Sequence, residues 1–321
     1  MSAADEKILT SLEENPKTIS ELVEETGYSR SWIWRRLKKL EKMGVVLLEK
    51  KGGIVKARLA KPLPATRSLI RVGIPRAAEY PYILPFRKKL LAYWDKVEIT
   101  VFDDPFQLAS LVAQGKVHLA MLPAVTALLV HRVSGGQVHI IGGGSGGGAG
   151  VIFNPHSRRE AHITTMASSM EYCAVKEKLP GERLYAHSGV EILESVRMGR
   201  VMYGVVWSPY LEEAKRYGLK IEKCDLPACC VLTANASLRG LYTRIGRLFE
   251  ESVTEARRKL ESNVLISAYS RLIGVQRPLL AEAVHNYTFY EEPPLDVLER
   301  AFEHIRLAAL PRRTVRDAVA R

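Results

Sequence analysis

The sequence predicts an α/β protein in two parts: a small N-terminal unit of helices closed by a β-hairpin, and a larger body of two α/β lobes. Three observations predict it. Three amphipathic helical stretches and then two β-type runs occupy the first sixty residues. A stretch with two prolines, "KPLPATRS" (61–68), carries no hydrophobic period and reads as a semi-rigid tether. From residue 69 strands and helices alternate with short connections, as parallel βαβ units do, and the pattern occurs twice.

In "MSAADEKILTSLEEN" the side chains of Ile8, Leu9 and Leu12 share one helical face, and "NP" closes the segment. Thr18 caps a second helix, with Glu21 completing a capping box, Ile19, Leu22 and Val23 turned inward, and Gly27 as the stop. Ser29 caps a third. Its Ile33, Leu37 and Leu40 recur at i, i+4 and i+7, which leaves Arg30, Ser31, Trp34, Arg35 and Lys38 on the other side. Trp32 is open between that exposed side and packing on the second helix. After Gly44, "VVLLEKKGGIVKARLA" gives two β-type runs around a "KKGG" turn.

Charge is concentrated in the same region. The chain of 321 residues carries a formal net charge of +12. Residues 30–61 hold eleven Lys/Arg against only Glu41 and Glu49, a net +9. Such a surface favours an anionic partner. Apolar residues make up 47% of the chain, enough for a substantial core without disulfide staples. The four cysteines, Cys173, Cys224, Cys229 and Cys230, fit no CxxC or zinc spacing and read as buried thiols of a reducing compartment. The N-terminus lacks the basic and apolar regions of a signal peptide, and no apolar run reaches membrane-spanning length. The expectation is a cytoplasmic protein with no membrane partner.

In the body, "LIRVGIP", "KVEITVF" and "VHLAMLP" read as strands, and "YILPFRKKLLAYW" and "DPFQLASLVAQG" as helices. The second lobe repeats the parts. There "SGVEILESVRMGRVMYGVVWSPYL" parallels "DPFQLASLVAQGKVHLAMLPAV": a helix ends at glycine, a basic residue follows, and a strand leads to proline. "VHIIGGGSGGGAGVIF" and "CCVLTANASL" read as the strands crossing between lobes, and the C-terminal third as mostly helical.

Helix, helix, basic helix and basic hairpin is the plan of a winged helix-turn-helix. The frame "SxSxIxRxLxxLExxGVV" resembles the recognition helix and wing entry of MarR- and ArsR-like regulators over about residues 5–60. The body resembles the type II periplasmic-binding-protein fold, nearest to solute-binding proteins for sulfonates and thiamine-pyrimidine precursors. The residues that carry this likeness are "VGIP", "DPFQLASLVAQGKVHLAMLP", "VVWSPYL" and the helical tail "LISAYSRLIGVQRPLLAEAVHNYTFY". LysR-type regulators join a similar body to a helix-turn-helix through a long linker helix, where this chain has a proline tether. The expected fold is α/β: a winged helix at 1–60, a linker at 61–68, and a two-lobed periplasmic-binding type II domain at 69–310. Its first lobe covers about 69–145 and 232–310 and its second about 146–231, and a basic tail follows at 311–321.

The resemblance implies DNA contact by the third helix in the major groove. Arg35 would reach guanine, and Ser31 and Trp34 thymine methyls or sugar. Arg30, Lys38, Lys39 and the wing residues Lys50, Lys51 and Lys56 would hold phosphate. In the body a ligand would lie between lobes, against strand ends and helix N-termini, whose free N–H groups attract anions. The candidates are Arg76, Tyr80, Asp104, Leu122 and Pro123 in one lobe. In the other they are Thr165, Ser168, Ser169, His187, Trp207, Ser208 and Tyr210. Ser168 and Ser169 suit a carboxylate, sulfonate or phosphate, and Trp207 or Tyr80 a flat ring. Gly142, Gly144 and Gly147 satisfy GxGxxG, but a strand follows where a dinucleotide motif needs a helix. These glycines are expected to serve the interlobe hinge and close approach to the ligand.

The resulting expectation is a ligand-responsive transcription regulator: homodimeric, bound to double-stranded DNA, switched by a small-molecule effector, with no cofactor, metal or catalytic residue. Two alternatives stand beside it. One is a cytoplasmic enzyme of the same fold, of menaquinone or thiamine-pyrimidine synthesis type, with His187 and Asp104 as acid and base. The other is a transport-associated binding protein whose winged helix contacts protein.

Overall fold

A computed structural model describes residues 3–12, 15–42, 45–59, 69–226, 229–293, 295, 298–299 and 317–319. The tether at 61–68 and most of "PLDVLERAFEHIRLAAL" lie outside the described residues. The chain separates into two compact units, 1–67 and 68–321.

The first unit contains α1 (Ala3–Ser11), β1 (Lys17–Thr18), α2 (Ile19–Thr26), α3 (Arg30–Lys42) and the hairpin β2 (Val46–Lys51) and β3 (Ile54–Leu59). Its sheet order is β1-β3-β2. The capping box forms as the sequence dictates: Glu21 N–H donates to Thr18 Oγ1 at 3.3 Å, and Thr18 N–H donates to Glu21 Oε2 at 2.5 Å. Gly27, in the left-handed region at φ +77°, ends α2. Ile8, Leu12, Leu22, Ile33, Leu37, Leu40, Val46 and Ala57 form one buried cluster, so the helical stripes and the hairpin close on each other. Trp32 packs on this cluster and stacks on Tyr28 at 4.3 Å, which settles its placement on the packed side.

The body begins with β4 (Leu69–Pro75), α4 (Ile83–Leu90), β5 (Lys96–Phe102), α5 (Pro105–Ala113), β6 (Leu119–Pro123), α6 (Ala124–Val133) and β7 (Val138–Gly147). The chain then crosses to β8 (Ala149–Phe153), β9 (Ala161–Thr165), α7 (Ser169–Lys176), β10 (Glu182–Ala186), α8 (Gly189–Arg197), β11 (Tyr203–Trp207), α9 (Tyr210–Arg216) and β12 (Lys220–Cys224). It returns through β13 (Cys230–Asn235) to α10 (Tyr242–Arg258), α11 (Asn263–Ile273), α12 (Arg277–Ala283) and β14 (Tyr287–Tyr290). The sheet of the first lobe runs β14-β7-β13-β6-β4-β5, and that of the second β10-β9-β11-β8-β12. The chain therefore passes between lobes twice, at Gly147–Gly148 and between Cys224 and Cys230.

The glycine run forms strand β7 and the first crossing between lobes. β7 lies between β14 and β13, and a Cβ on Gly144 would meet the Cys230 carbonyl oxygen at 2.1 Å. Its close approach is to a neighbouring strand. Gly148 makes the turn into the second lobe at φ +65°, where a Cβ would meet the Tyr287 ring at 2.1 Å.

Two expectations are corrected. The tail "LISAYSRLIGVQRPLLAEAVHNYTFY" is not helical throughout: its last residues form β14, where Tyr287 and Phe289 alternate inward against β7. Cys173 and Cys224 are not free thiols but a disulfide, Cα atoms 6.1 Å apart, joining α7 to the end of β12. Spacing along the chain carries no sign of it, because the fold alone brings residues 51 apart together. Cys229 and Cys230 are free and buried, as the apolar context of "ACCVLT" indicates. Among the described residues no helix is long and apolar enough to cross a membrane.

Candidate functional site

Two surfaces are candidates, one in each unit. On α3 the core stripe fixes the rotation of the helix, so Arg30, Ser31, Arg35, Lys38 and Lys39 are exposed and Trp34 is half-buried. Lys38 Nζ lies 5.0 Å from the Trp34 ring centre and 2.8 Å from Glu41 Oε2. Arg35 Nε donates weakly to Ser31 O at 3.4 Å and leaves its guanidinium in solvent. Lys50 and Lys56 are exposed on the hairpin. Lys51 is in β2, and its side chain lies outside what is described. Arg36, one residue from Arg35, behaves differently. Its guanidinium pairs through Nε and Nη2 with the buried carboxylate of Asp5 and ties α3 to α1.

In the body the two lobes meet across a closed seam. Trp207 Nε1 donates to Arg76 O at 2.9 Å, Ala78 N to Ser208 O at 3.0 Å, and Thr126 Oγ1 to Ala167 O at 2.7 Å. The cleft floor is lined by Pro75, Ala77, Glu79, Tyr80, Pro105, Pro123, Ser168, Ser169, Met170, Trp207, Cys229 and Cys230 around a cavity of about 20 Å³. As closed, it admits about one water.

Of the sequence candidates, Tyr80, Pro123, Ser168, Ser169 and Trp207 line this floor. Ser168 caps α7, accepting from Met170 N at 3.1 Å and Glu171 N at 3.3 Å, while its hydroxyl donates to Thr165 O. Thr165 sits directly behind it, Oγ atoms 2.7 Å apart. The amides at this helix start are thus satisfied from within, and an anion would have to displace the Ser168 oxygen. Ser169 Oγ donates to Cys229 O at 2.8 Å.

The remaining candidates surround the floor or turn away from it. Arg76 pairs with Asp103 at 2.6 Å, and that hydrogen bond holds its guanidinium pKa above the ordinary value. Asp104 caps α5 through Phe106 N at 2.8 Å and Gln107 N at 3.1 Å, and His187 Nδ1 meets its other oxygen at 3.0 Å from the second lobe. Ser208 Oγ donates to Glu212 Oε1 at 2.8 Å. Tyr210 packs edge-on against Trp207, and burial pushes its phenol pKa up. Leu122 is wholly buried in the hydrophobic cluster with Leu108, Val112 and Val231, because strand alternation turns it away from Pro123.

Sequence reasoning misses the buried acid of the floor. Glu79 is 2% exposed, and its carboxyl accepts from Tyr80 OH, Ser145 OH and Cys230 Sγ, the last at 3.1 Å. Burial raises its pKa, with those hydrogen bonds pulling the other way. Burial likewise drives the Cys230 thiol well up. The signal available in the sequence is an acid inside the apolar "RAAEYPYIL" and a cysteine doublet, and neither identifies the other without the fold.

Comparison with known proteins agrees with this division. Residues 7–47 match the bacterial regulatory protein family of arsR type. No curated protein matches the chain. The body is similar in fold to a ligand-binding component of an ABC-type import system from Staphylococcus aureus solved with zinc bound. That likeness has 14% identity over 79% of this chain and 97% of the other, with a TM-score of 0.63. The alkanesulfonate-binding protein SsuA from Xanthomonas axonopodis pv. citri, bound to MOPS, gives 12% identity, 80% and 99% coverage and 0.62. The nitrate-binding protein NrtA from Synechocystis PCC 6803 gives 10%, 78% and 86%, and 0.62. The chain therefore joins an arsR-type helix-turn-helix to a periplasmic-binding-protein-like domain.

Proposed function

We propose that this protein is a one-component transcription regulator whose body binds a small metabolite, anionic or ring-containing, between its lobes. The observation that carries the reading is the union, on one chain, of an arsR-type helix-turn-helix with an exposed basic face and a bilobal body whose lobes are joined by two crossings. Ser31, Trp34 and Arg35 face base edges, and Arg30, Lys38, Lys39, Lys50, Lys51 and Lys56 hold phosphate. The solved relatives named for alkanesulfonate and nitrate support an anion as the ligand class. The protein acts in the cytoplasm as a homodimer, because a single winged helix gains register and affinity from a second half-site.

Control follows from closure. A ligand that favours the closed lobes shifts the dimer toward one spacing of its paired helices, by no more than its differential affinity for the two arrangements. The His187–Asp104 pair is the observation on the side of an acid–base enzyme. Yet the His187 side chain is 87% exposed and the Asp104 carboxylate already caps α5, so the pair is better read as a latch between lobes. The test is a mobility-shift titration of the full chain on DNA from its own promoter region, at two salt concentrations, with thermal-shift screening of anions. A saltable, sequence-preferring shift altered by a stabilising anion is expected. Absence of any preference over random duplex would overturn the regulator reading.

A further inference from the structure

We propose that Glu79, Cys229 and Cys230 form a binding site for a thiophilic divalent cation, of which Zn²⁺ is the representative, at the floor of the cleft. Their ligand atoms all lie within 4.8 Å of one another. The two sulfurs are 3.5 Å apart, and Cys230 Sγ is 3.1 Å from Glu79 Oε1. Two thiolates bound to one tetrahedral zinc at about 2.3 Å stand roughly 3.8 Å apart, so the pair needs only a few tenths of an ångström of adjustment.

Charge and orientation point the same way. Glu79 is a fully buried acid whose partners, Tyr80, Ser145 and Cys230, are all neutral hydrogen-bond donors. Among the described residues no ion pair reaches it. Tyr80 donates to one carboxyl oxygen and Ser145 to the other, the outer support that fixes a ligating carboxylate. Two sulfurs and one oxygen suit zinc-like ions and disfavour magnesium and calcium. On binding, the ion takes the place of the thiol protons, which pass to solvent, and both cysteines become thiolates.

Three protein ligands leave a fourth tetrahedral position, and the cavity continues from them to Ser168, Ser169 and Trp207. The ion would offer a ligand of the cleft an open coordination position. Cys230 starts the return strand β13 and Cys229 is the last residue of the second crossing between lobes, so the ion would grip that crossing. This consequence for control rests on the regulator reading. The site does not.

The experiment uses the full chain, reduced with a phosphine and stripped with chelator, then titrated with Co²⁺ and competed with Zn²⁺. Expected are one equivalent bound, sulfur-to-cobalt charge-transfer absorption with tetrahedral ligand-field bands, bleaching by Zn²⁺, and a higher melting temperature with Zn²⁺. The double variant C229S/C230S loses the charge-transfer band, and Glu79→Gln weakens Zn²⁺ at least about tenfold. C173S/C224S keeps the band. Wild type without the band and without Zn²⁺ uptake overturns the site. So does a C229S/C230S protein, folded by circular dichroism, that retains its full equivalent. If the serine variant fails to fold, the wild-type absorption spectrum decides alone. Mobility shifts on the same preparation separate the two proposals: DNA binding without metal removes only this site, and metal without DNA binding removes only the regulator.

Discussion

Trp207, at the end of β11, donates its indole N–H across the cleft to the carbonyl oxygen of Arg76, at the end of β4, at 2.9 Å. One residue on, Ser208 O accepts the amide of Ala78 at 3.0 Å. Two adjacent residues of one lobe thus hold the first βα turn of the other. A ring that serves the seam in this way is committed before any ligand arrives, so stacking on a flat ring would follow opening.

Replacing Trp207 with Phe keeps an aromatic ring and deletes the donor. A net intramolecular hydrogen bond contributes about 0.5–1.5 kcal/mol, so the ratio of closed to open lobes should fall roughly two- to tenfold. Amide hydrogen exchange reads it directly. Ala78 N–H should exchange faster by that factor, while Val72 in the middle of β4 stays unchanged. Equal exchange at Ala78 in both proteins would detach the indole from closure.

Neighbouring arginines on α3 offer a sharper contrast. Arg35 is exposed, whereas the Arg36 guanidinium pairs with the buried Asp5 carboxylate, which raises the arginine pKa. Arg35→Ala should leave the melting temperature in place and cost about 1–3 kcal/mol of discrimination at one base position. Arg36→Ala should lower the melting temperature by stranding a buried acid. Melting curves paired with mobility shifts on consensus and single-substituted duplexes check both. A DNA defect confined to Arg36→Ala would reverse the assignment of faces.

These two residues also mark what a linear pattern can convey. The spacing of Ile33, Leu37 and Leu40 fixes which way α3 faces, and Thr18 with Glu21 announces the start of α2, because both are local rules of helix geometry. Strands β4, β5 and β6 read clearly as apolar runs between turn signals. Helix α6, buried nearly all round, has no polar face to set a period, and its "AVTALLVHRV" goes unread. β9 ("AHITT") and β12 ("KIEKC") lack an apolar run, and β14 follows helices without a strong break. The Glu79 floor and the Cys173–Cys224 bond are harder still, since each joins segments that only tertiary folding brings together.

Glu212 gives a pH dependence with a definite sign. Its Oε1 accepts from Ser208 at 2.8 Å and from Asn286 at 2.6 Å, Oε2 has no partner, and burial raises its pKa above 4.5. The nearby Glu282 carboxylate raises it further. A raised folded value means that the contribution to stability is complete below the unfolded pKa and is lost as pH rises through the folded one. Stability should therefore decline from about pH 4.5 upward into the neutral range. In Glu212→Gln the carbonyl oxygen keeps both hydrogen bonds and the carboxyl titration is gone. Its melting temperature should fall less than that of wild type between pH 5 and 8. Parallel curves would mean that Glu212 titrates normally in the folded protein.

The Cys173–Cys224 bond bears on both stability and compartment. It closes a loop of 51 residues within the second lobe, and cross-linking a loop of that size removes denatured-state entropy corresponding to about 4 kcal/mol. C173S/C224S, or wild type with a reductant, should melt measurably lower than the oxidised chain, and the two should agree. Disulfides persist in oxidising surroundings and are rare in a reducing cytoplasm. A cytoplasmic regulator should therefore yield four alkylated cysteines when cells are lysed directly into denaturant with an alkylating reagent, and two after air oxidation of the purified chain. Two alkylated cysteines straight from the cell would mean that the bond exists in vivo. The second lobe would then be rigid where the protein works, and the cytoplasmic placement would have to be withdrawn.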